Sequence, residues 1–266
     1  MEPTYSNLRR VTMDYFKSNP RGQINFVDRQ HGIIAWLLNA GVPLTDETRD
    51  TVQVVVHDLY RERILITGAG GTSMGDALLN WPHYRVTQHG REVLAATDYQ
   101  PYDPGGYLER FRADVPNADG EIIRYLAEAL DCSKQGLTLA CAVMIGCAAE
   151  KTMTELASAL RAYLPESKRK KFDNETGSRS ITRAAKAVTD RLREIQKTLT
   201  ENIRDDWEIT VSSVFNLIRI TRNEAGHPTG ARIDQATVEG HLIIFPAYCG
   251  KAYQLISFLS ASTPSK

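Results

Sequence analysis

From residue 118 onward, apolar side chains recur at helical spacing, and almost no segment alternates in the way that a β-strand requires. Five such stretches follow one another with short connections, at residues 118–136, 137–164, 180–199, 205–225 and 237–261. Asp119 is a suitable N-cap for the first stretch, and Gly136 should end it. Pro246 should kink or split the last stretch, because proline lacks an amide donor. The sequence therefore predicts an up-and-down helical bundle over 118–261.

The first hundred residues have a different pattern, in which helices precede short strands. Two helical stretches, two strand-like segments and a further helix start follow in order, at residues 26–41, 45–64, 64–67, 83–87 and 90–96. Thr45 is a suitable N-cap, because Asp46 and Glu47 then fall in the first turn. The Gly-rich stretch 68–82 is predicted to be a loop, which gives a hairpin near 64–87.

A cluster of Pro, Gly, Tyr and Asp at residues 97–106 separates these two patterns. With 266 residues, the chain is also longer than most single domains. We therefore predict a mainly α protein with an N-terminal domain at 1–100, a linker at 101–117, the bundle at 118–261 and a flexible tail at 262–266.

The stretch YRVTQHGREVL, at residues 84–94, resembles the strand, threonine and Gly-Arg helix that end many bacterial winged-helix regulators. Together with the hairpin, this resemblance implies a winged-helix-like domain over 1–100. The candidates for the polar face of its recognition helix are Arg49, Gln53, His57, Arg61 and Arg63. The domain carries no excess of positive charge, so contact with nucleic acid and contact with a regulatory protein both stay open.

Composition and short motifs set bounds on location and cofactors. The formal net charge is zero, and the four cysteines lie in apolar helical patterns, as expected of buried residues in a reducing compartment. No uninterrupted apolar run reaches the about 18 residues of a membrane helix, and the N-terminus lacks a secretory signal. We therefore expect a cytoplasmic protein without membrane contact. The stretch TGAGGTSMG at 67–75 lacks both the third glycine and the βαβ context of a dinucleotide site, and no cofactor is predicted.

The fourth bundle stretch ends in RNEAGHP, at residues 222–228. One apolar seam is predicted for this helix from steps of four and three, at Trp207, Val211, Val214 and Ile218. Arg222 lies four residues after Ile218 and so continues the seam that should face other helices. A buried arginine is costly unless it is paired. Gly226 is suited to a left-handed cap and Pro228 cannot continue the helix, so His227 should lie near Arg222. The pair either binds the last helix carbonyls or supplies a cation and a titratable base to a reaction.

The bundle with this motif resembles the HEPN domains (higher eukaryotes and prokaryotes nucleotide-binding). Their signature is an arginine, a polar residue, three variable residues and a histidine at the end of a core helix. Arg222, Asn223 and His227 match that signature. MIGCAAEKTMTEL, at 144–156, is similar to the buried second helix of the family, where Glu150 would be the acidic residue that often lies near the motif.

The resemblance implies a metal-independent endoribonuclease that acts on RNA, and family members usually pair as homodimers with two motifs across a cleft. His227 is expected to act on the ribose 2′-hydroxyl or the leaving oxygen, and Arg222 to stabilise negative charge on the phosphate. Asn223 would orient either side chain, and Glu150 either takes part in the chemistry or forms a structural ion pair. Because such an architecture suits a toxin or a phage-defence effector, the resemblance also implies a role of that kind.

Residues 161–204 carry about twelve basic and six acidic side chains. A predicted loop in this region contains four successive cations that would capture the RNA backbone, Lys168, Arg169, Lys170 and Lys171. An ordinary solvated loop is the alternative. The histidines lack the spacing of metal ligands, so no metal is predicted. The other hypotheses for the whole chain are a noncatalytic winged-helix regulator and a helical interaction subunit of a larger complex.

Overall fold

The computed structural model describes residues 3–68, 82–95, 101, 103–177, 180–227, 230 and 232–261, and these are mainly helical, as predicted. The chain divides into two units, Met1–Glu109 and Arg110–Lys266. The predicted tail at 262–266 and most of the predicted loop at 68–82 lie outside the described residues.

The first unit combines helices with a small antiparallel sheet. Its described elements are α1 (Tyr5–Ser18), β1 (Arg21–Gln23), α2 (Gly32–Asn39), α3 (Asp46–Arg61), β2 (Leu65–Thr67), β3 (His83–Val86) and α4 (Gln88–Ala95). β3 lies between β1 and β2 and is antiparallel to both. The predicted hairpin near 64–87 is confirmed as the β2–β3 pair, whereas β1 and α1 have no counterpart in the sequence prediction.

Side-chain hydrogen bonds set the starts of α2 and α3. Thr45 Oγ1 accepts the backbone N–H of Thr48 at 3.1 Å, as predicted for the N-cap of α3. α2 begins at Gly32 and not at 26, because the side chains of Asn25 and Asp28 accept backbone N–H groups of the residues that follow them. Such local bonds compete with helix formation.

A buried arginine anchors the end of the first unit. Arg9 is 1% exposed, and its guanidinium contacts Glu62 Oε2 at 2.5 Å and Asp103 Oδ1 at 3.0 Å. Two carboxylates compensate for the burial of its charge. Asp103 also accepts a backbone N–H at the start of α5, which spans Pro104–Asp114. The stretch 101–117, predicted as a linker, therefore contains a helix.

The second unit is built from helices. Its described elements are α6 (Gly120–Lys134), α7 (Thr138–Tyr163), α8 (Glu166–Thr176), α9 (Ile181–Ile195), a 3₁₀ turn (Gln196–Thr198), α10 (Glu201–Arg204), a π-helical segment (Glu208–Ser213), α11 (Val214–Gly226) and α12 (Gln235–Ala261). The five predicted helices correspond to α6, α7, α9, α11 and α12. Asp119 Oδ1 caps α6 by accepting the N–H of Glu121 at 2.7 Å, and Gly136 follows the helix at a φ of 71°. Both agree with the sequence prediction.

α7 is the central helix of this unit, and α6, α11 and α12 all pack against it. Tyr248 of α12 is fully buried and donates its hydroxyl to the carbonyl of Ala149 on α7 at 2.7 Å. The ring of Phe215 on α11 stacks on Tyr248 with 6.4 Å between the centroids. The small residues of α7 let its neighbours approach closely, and this close packing positions the end of α11 beside α7.

The π-helical segment changes which residues of the fourth stretch are buried. Trp207, Val211, Phe215 and Ile218 lie in the core, whereas Val214 is only partly buried. The predicted seam is therefore wrong at Val214. A π-helix bonds each N–H five residues back, which adds one residue to the turn. After Val211, the core-facing position consequently falls at 215 and not at 214.

α12 continues through Pro246 as a single helix, so the predicted split does not occur. By length and composition this helix is apolar enough to cross a membrane, which differs from the sequence expectation. Its buried side chains include Leu242, Phe245, Tyr248 and Leu255, which lie in the core of the unit. A core helix of a globular protein passes the same test of length and composition.

Candidate active site

The last turn of α11 lies against a glycine of α7. A Cβ atom built on Gly146 would lie 2.3 Å from Cγ and 2.6 Å from Cβ of Arg222. Real side chains do not approach so closely, so a glycine at this position leaves room for the aliphatic part of Arg222. The contact directs the arginine along the surface of α7.

The guanidinium of Arg222 lies between two of the predicted site residues. Its Nε is 3.6 Å from Glu150 Oε1, and its Nη1 donates to Asn223 Oδ1 at 3.3 Å. Arg222 Nε and Glu150 Oε1 are both buried, and neither has a hydrogen-bond partner among the described residues. The side chain of Arg222 as a whole is 35% exposed. The arginine is thus oriented by charge and packing while part of it faces solvent.

His227 is the first residue beyond α11. Its backbone is extended, with φ −114° and ψ 139°, and its N–H donates to the carbonyl of Asn223 at 3.1 Å. Extended backbone is the conformation that a residue before proline prefers. Gly226 is the last helical residue and does not have a positive φ, so the predicted left-handed cap is wrong. The side chain of His227 is exposed, and among the described residues nothing hydrogen-bonds its ring.

The structure adds Cys147 to the residues around Arg222. Burial and the Glu150 carboxylate raise the pKa of this thiol, and the Arg222 guanidinium lowers it by a smaller amount. The thiol therefore stays protonated at neutral pH. Helical spacing could have identified this neighbour, because Cys147 lies three residues before Glu150 and so on the same side of a helix.

A buried histidine supports the helix end from the other side. His241 of α12 is buried, and its Nε2 lies 2.8 Å from Thr221 Oγ1. The Thr221 hydroxyl also donates to the carbonyl of Leu217 at 3.3 Å. Thr221 directly precedes Arg222, and the bond between His241 and Thr221 therefore joins α12 to the turn that carries the site.

His241 is expected to make folding pH-dependent. Burial lowers its pKa from the ordinary value of 6.5, so below that pH the unfolded chain binds a proton that the folded chain does not. Its contribution is complete above pH 6.5 and is lost as the pH falls. In calorimetry between about pH 7.5 and about pH 5, the wild type should lose more thermal stability than His241→Gln. Equal losses in the two proteins would contradict this account.

The four cations predicted to capture RNA do not lie in a loop. They belong to α8, where Lys168 Nζ pairs with Glu194 of α9 at 3.1 Å. Arg169 donates to the carbonyls of Leu164 and Ala162 at 2.9 and 3.0 Å and so satisfies the end of α7. These two side chains have structural partners. Lys170 and Lys171 are exposed.

A small cavity of about 280 Å³ joins Lys171 to cations of α9. Four cations and two carboxylates line it, at Lys171, Arg183, Lys186, Arg191, Glu175 and Asp190. Lys186 pairs with Asp190 at 2.5 Å, and Arg191 with Glu175 at 3.4 Å. Lys171 and Arg183 have no ion-pair partner among the described residues. After this pairing, Lys171 and Arg183 give the cavity an excess of positive charge. The sequence prediction did not include Arg183.

Comparison of the chain with protein-family models, with curated proteins and with solved structures gave no match. A function is therefore inferred from the contacts of the side chains at the end of α11. These bring Arg222, Asn223 and Glu150 together by measured contacts. They join His227 to the group through its backbone.

Proposed function

We propose that the chain is a metal-independent endoribonuclease of the HEPN type. The observation that carries the proposal is the placement of Arg222, which is held in the groove at Gly146 and partly exposed beside Glu150 and Asn223. A helix-capping arginine would direct its donors at the last helix carbonyls. Arg222 instead donates to Asn223 and lies 3.6 Å from Glu150, and His227, just beyond the helix, is exposed to solvent.

The proposed reaction is an intramolecular transesterification at a phosphodiester of the RNA. The ribose 2′-hydroxyl loses its proton to a base while its oxygen bonds to phosphorus, and the bond from phosphorus to the 5′ oxygen breaks. That oxygen takes up a proton, which gives a 2′,3′-cyclic phosphate and a 5′-hydroxyl. His227 is the proton carrier, and Arg222 neutralises the additional charge on the phosphorane. Glu150 and Asn223 hold the guanidinium in place.

The substrate is captured, in this proposal, by cations of α8 and α9 that have no ion-pair partner among the described residues. Lys170, Lys171 and Arg183 replace the four successive cations predicted from the sequence, because Lys168 and Arg169 have structural partners. Their attraction for the RNA backbone would be independent of sequence and would weaken with salt.

A homodimer would provide the second proton-transfer group that acid–base cleavage needs. Ile218 is fully buried within the unit and is therefore not available to a second copy. Leu217 and Ile220 of α11 are each 49% exposed and lie five and two residues before Arg222 in the same helix. They are the apolar side chains that a second copy would cover. The same two residues favour the alternative of an interaction subunit in a larger complex.

The first unit is proposed to be a winged helix. The order α1–β1–α2–α3–β2–β3 places three helices before a hairpin, and β1 joins the hairpin at its β3 edge. This agrees with the resemblance of residues 84–94 to winged-helix regulators. The unit would position RNA or a regulator relative to the nuclease.

The test of this function is a cleavage assay in EDTA. The purified full chain is incubated with a labelled RNA and with its 2′-deoxy counterpart. We expect the RNA alone to be cut, with 2′,3′-cyclic phosphate and 5′-hydroxyl ends, because the 2′-hydroxyl is the nucleophile. Loss of cleavage in EDTA would contradict a metal-independent mechanism. Absence of cleavage with and without divalent metal would favour the interaction subunit.

A further inference from the structure

The sheet of the first unit presents two arginines directly opposite each other. The β1–β3 register pairs Arg21 with Arg85, and the β2–β3 register pairs Arg85 with Ile66. Residues paired across strands lie on the same face of a sheet. All three are exposed, whereas Tyr84 and Val86 on either side of Arg85 are buried. The three therefore form a row on the solvent face of the sheet.

No acidic side chain shares this face among the described strand residues. Its other members are Gln23 and His83, which are paired with each other two positions along the strands. Neither Arg21 nor Arg85 has an ion pair or a side-chain hydrogen bond within the part of the chain that the structure describes. Like charges directly opposite each other destabilise a strand pair. A bound anion would relieve this repulsion.

α3, the helix that the sequence suggested for reading DNA, has the opposite charge. Its exposed first turns carry three acidic residues, Asp46, Glu47 and Asp50. Its arginines are engaged within the unit. Arg49 Nη1 donates to the carbonyl of Phe26 at 2.6 Å, and Arg61 pairs with Asp58 at 3.4 Å. An acidic surface repels the phosphates that a groove-binding helix must approach.

We propose that the solvent face of this sheet, and not α3, binds the phosphate backbone of a nucleic acid. Arg21 and Arg85 are the contact residues, since guanidinium groups bind phosphate oxygens through two parallel hydrogen bonds. Ile66 adds an apolar contact for the sugar. The described residues of the face include no Phe, Tyr or Trp on which a base could stack. Binding is therefore independent of base sequence, and the proposal does not rest on the ribonuclease activity.

Anisotropy titrations of the full chain in EDTA test this surface. The probes are a labelled single strand of 2′-O-methyl RNA, which cannot be cleaved, and a labelled DNA duplex. The double variant Arg21→Gln/Arg85→Gln should bind about tenfold more weakly at low salt, and the slope of log affinity against log salt should fall by about two. Arg29→Gln, which removes another exposed arginine of the same unit, should bind as the wild type does.

Thermal unfolding separates lost binding from lost folding. Because the double variant removes a repulsive pair, it should be at least as stable as the wild type. Binding to both probes identifies the shared phosphate backbone as the ligand, and binding to one probe identifies the strand type. The proposal is overturned if the double variant binds like the wild type, or if Arg29→Gln is weakened equally. A wild type that binds poly-glutamate but neither nucleic acid would also overturn it and indicate an acidic protein partner.

Discussion

Replacement of His227 by alanine is expected to slow RNA cleavage by about 10²–10⁴-fold, which is the usual contribution of a positioned proton carrier. The thermal stability of the second unit should not change, because the side chain is exposed and the described residues do not hydrogen-bond it. Single-turnover cleavage in EDTA measures the rate, and calorimetry measures stability. His31→Ala, which removes an exposed histidine of the first unit, is the matched control and should cleave normally.

Variants of Arg222 complete this test. Arg222→Lys keeps the positive charge but loses the planar set of donors that spans Glu150 and Asn223. The variant should be folded, but it should cleave RNA more slowly than the wild type does. Arg222→Ala should cleave more slowly still. If Arg222→Ala instead unfolds the second unit, the arginine has a structural role. Cleavage by His227→Ala at the wild-type rate would remove His227 from the mechanism.

Gly146→Ala is expected to destabilise the second unit and to reduce cleavage at the same time. The new methyl group would lie 2.3 Å from Arg222 Cγ and 2.6 Å from its Cβ, so α7 and α11 would have to separate locally. Overpacking of this kind costs about 1–3 kcal/mol. Because the displaced residue is Arg222, the cleavage rate should fall even at temperatures where the variant is folded. Urea unfolding and cleavage at low temperature measure the two effects.

Gly240→Ala is the matched control for this substitution. Gly240 is also within a helix, but a Cβ built there has no neighbouring atom within 4 Å. Alanine has the higher helix propensity, so this variant should be more stable than the wild type by up to about 1 kcal/mol. Its cleavage should be normal. If both variants lose stability equally, the close contact with Arg222 is not the cause.

Local features of the sequence predicted much of the fold. The caps at Thr45 and Asp119 depend on hydrogen bonds within three residues, and the structure contains both. Five long periodic stretches became helices because their apolar spacing is itself helical. The prediction was less successful where a few residues decide between conformations. Asn25 and Asp28 hold their segment in turns, and α8 is a helix with little apolar character.

The site shows the same division between local and distant information. The resemblance to HEPN domains predicted Arg222, Asn223, His227 and Glu150 as site residues, and three of these four are joined by side-chain contacts. The sequence could not show that Lys168 forms an ion pair with α9 or that Arg169 donates to a carbonyl at the end of α7. Those contacts exist only after the helices have packed. The position of the last turn of α11 on α7 could likewise not be predicted from the sequence.

By itself, the sequence determined the five long helices of the second unit, the caps at Thr45 and Asp119 and the order of polar residues at the end of α11, because these depend on neighbours within a few positions. Tertiary structure alone decided that Gly146 receives Arg222, that Phe215 replaces Val214 in the core and that Arg21 lies opposite Arg85. The second depends on the π-helical segment, and the other two depend on the register between two elements. Register is fixed by how whole side chains fit together, and residues far apart in the chain supply that fit.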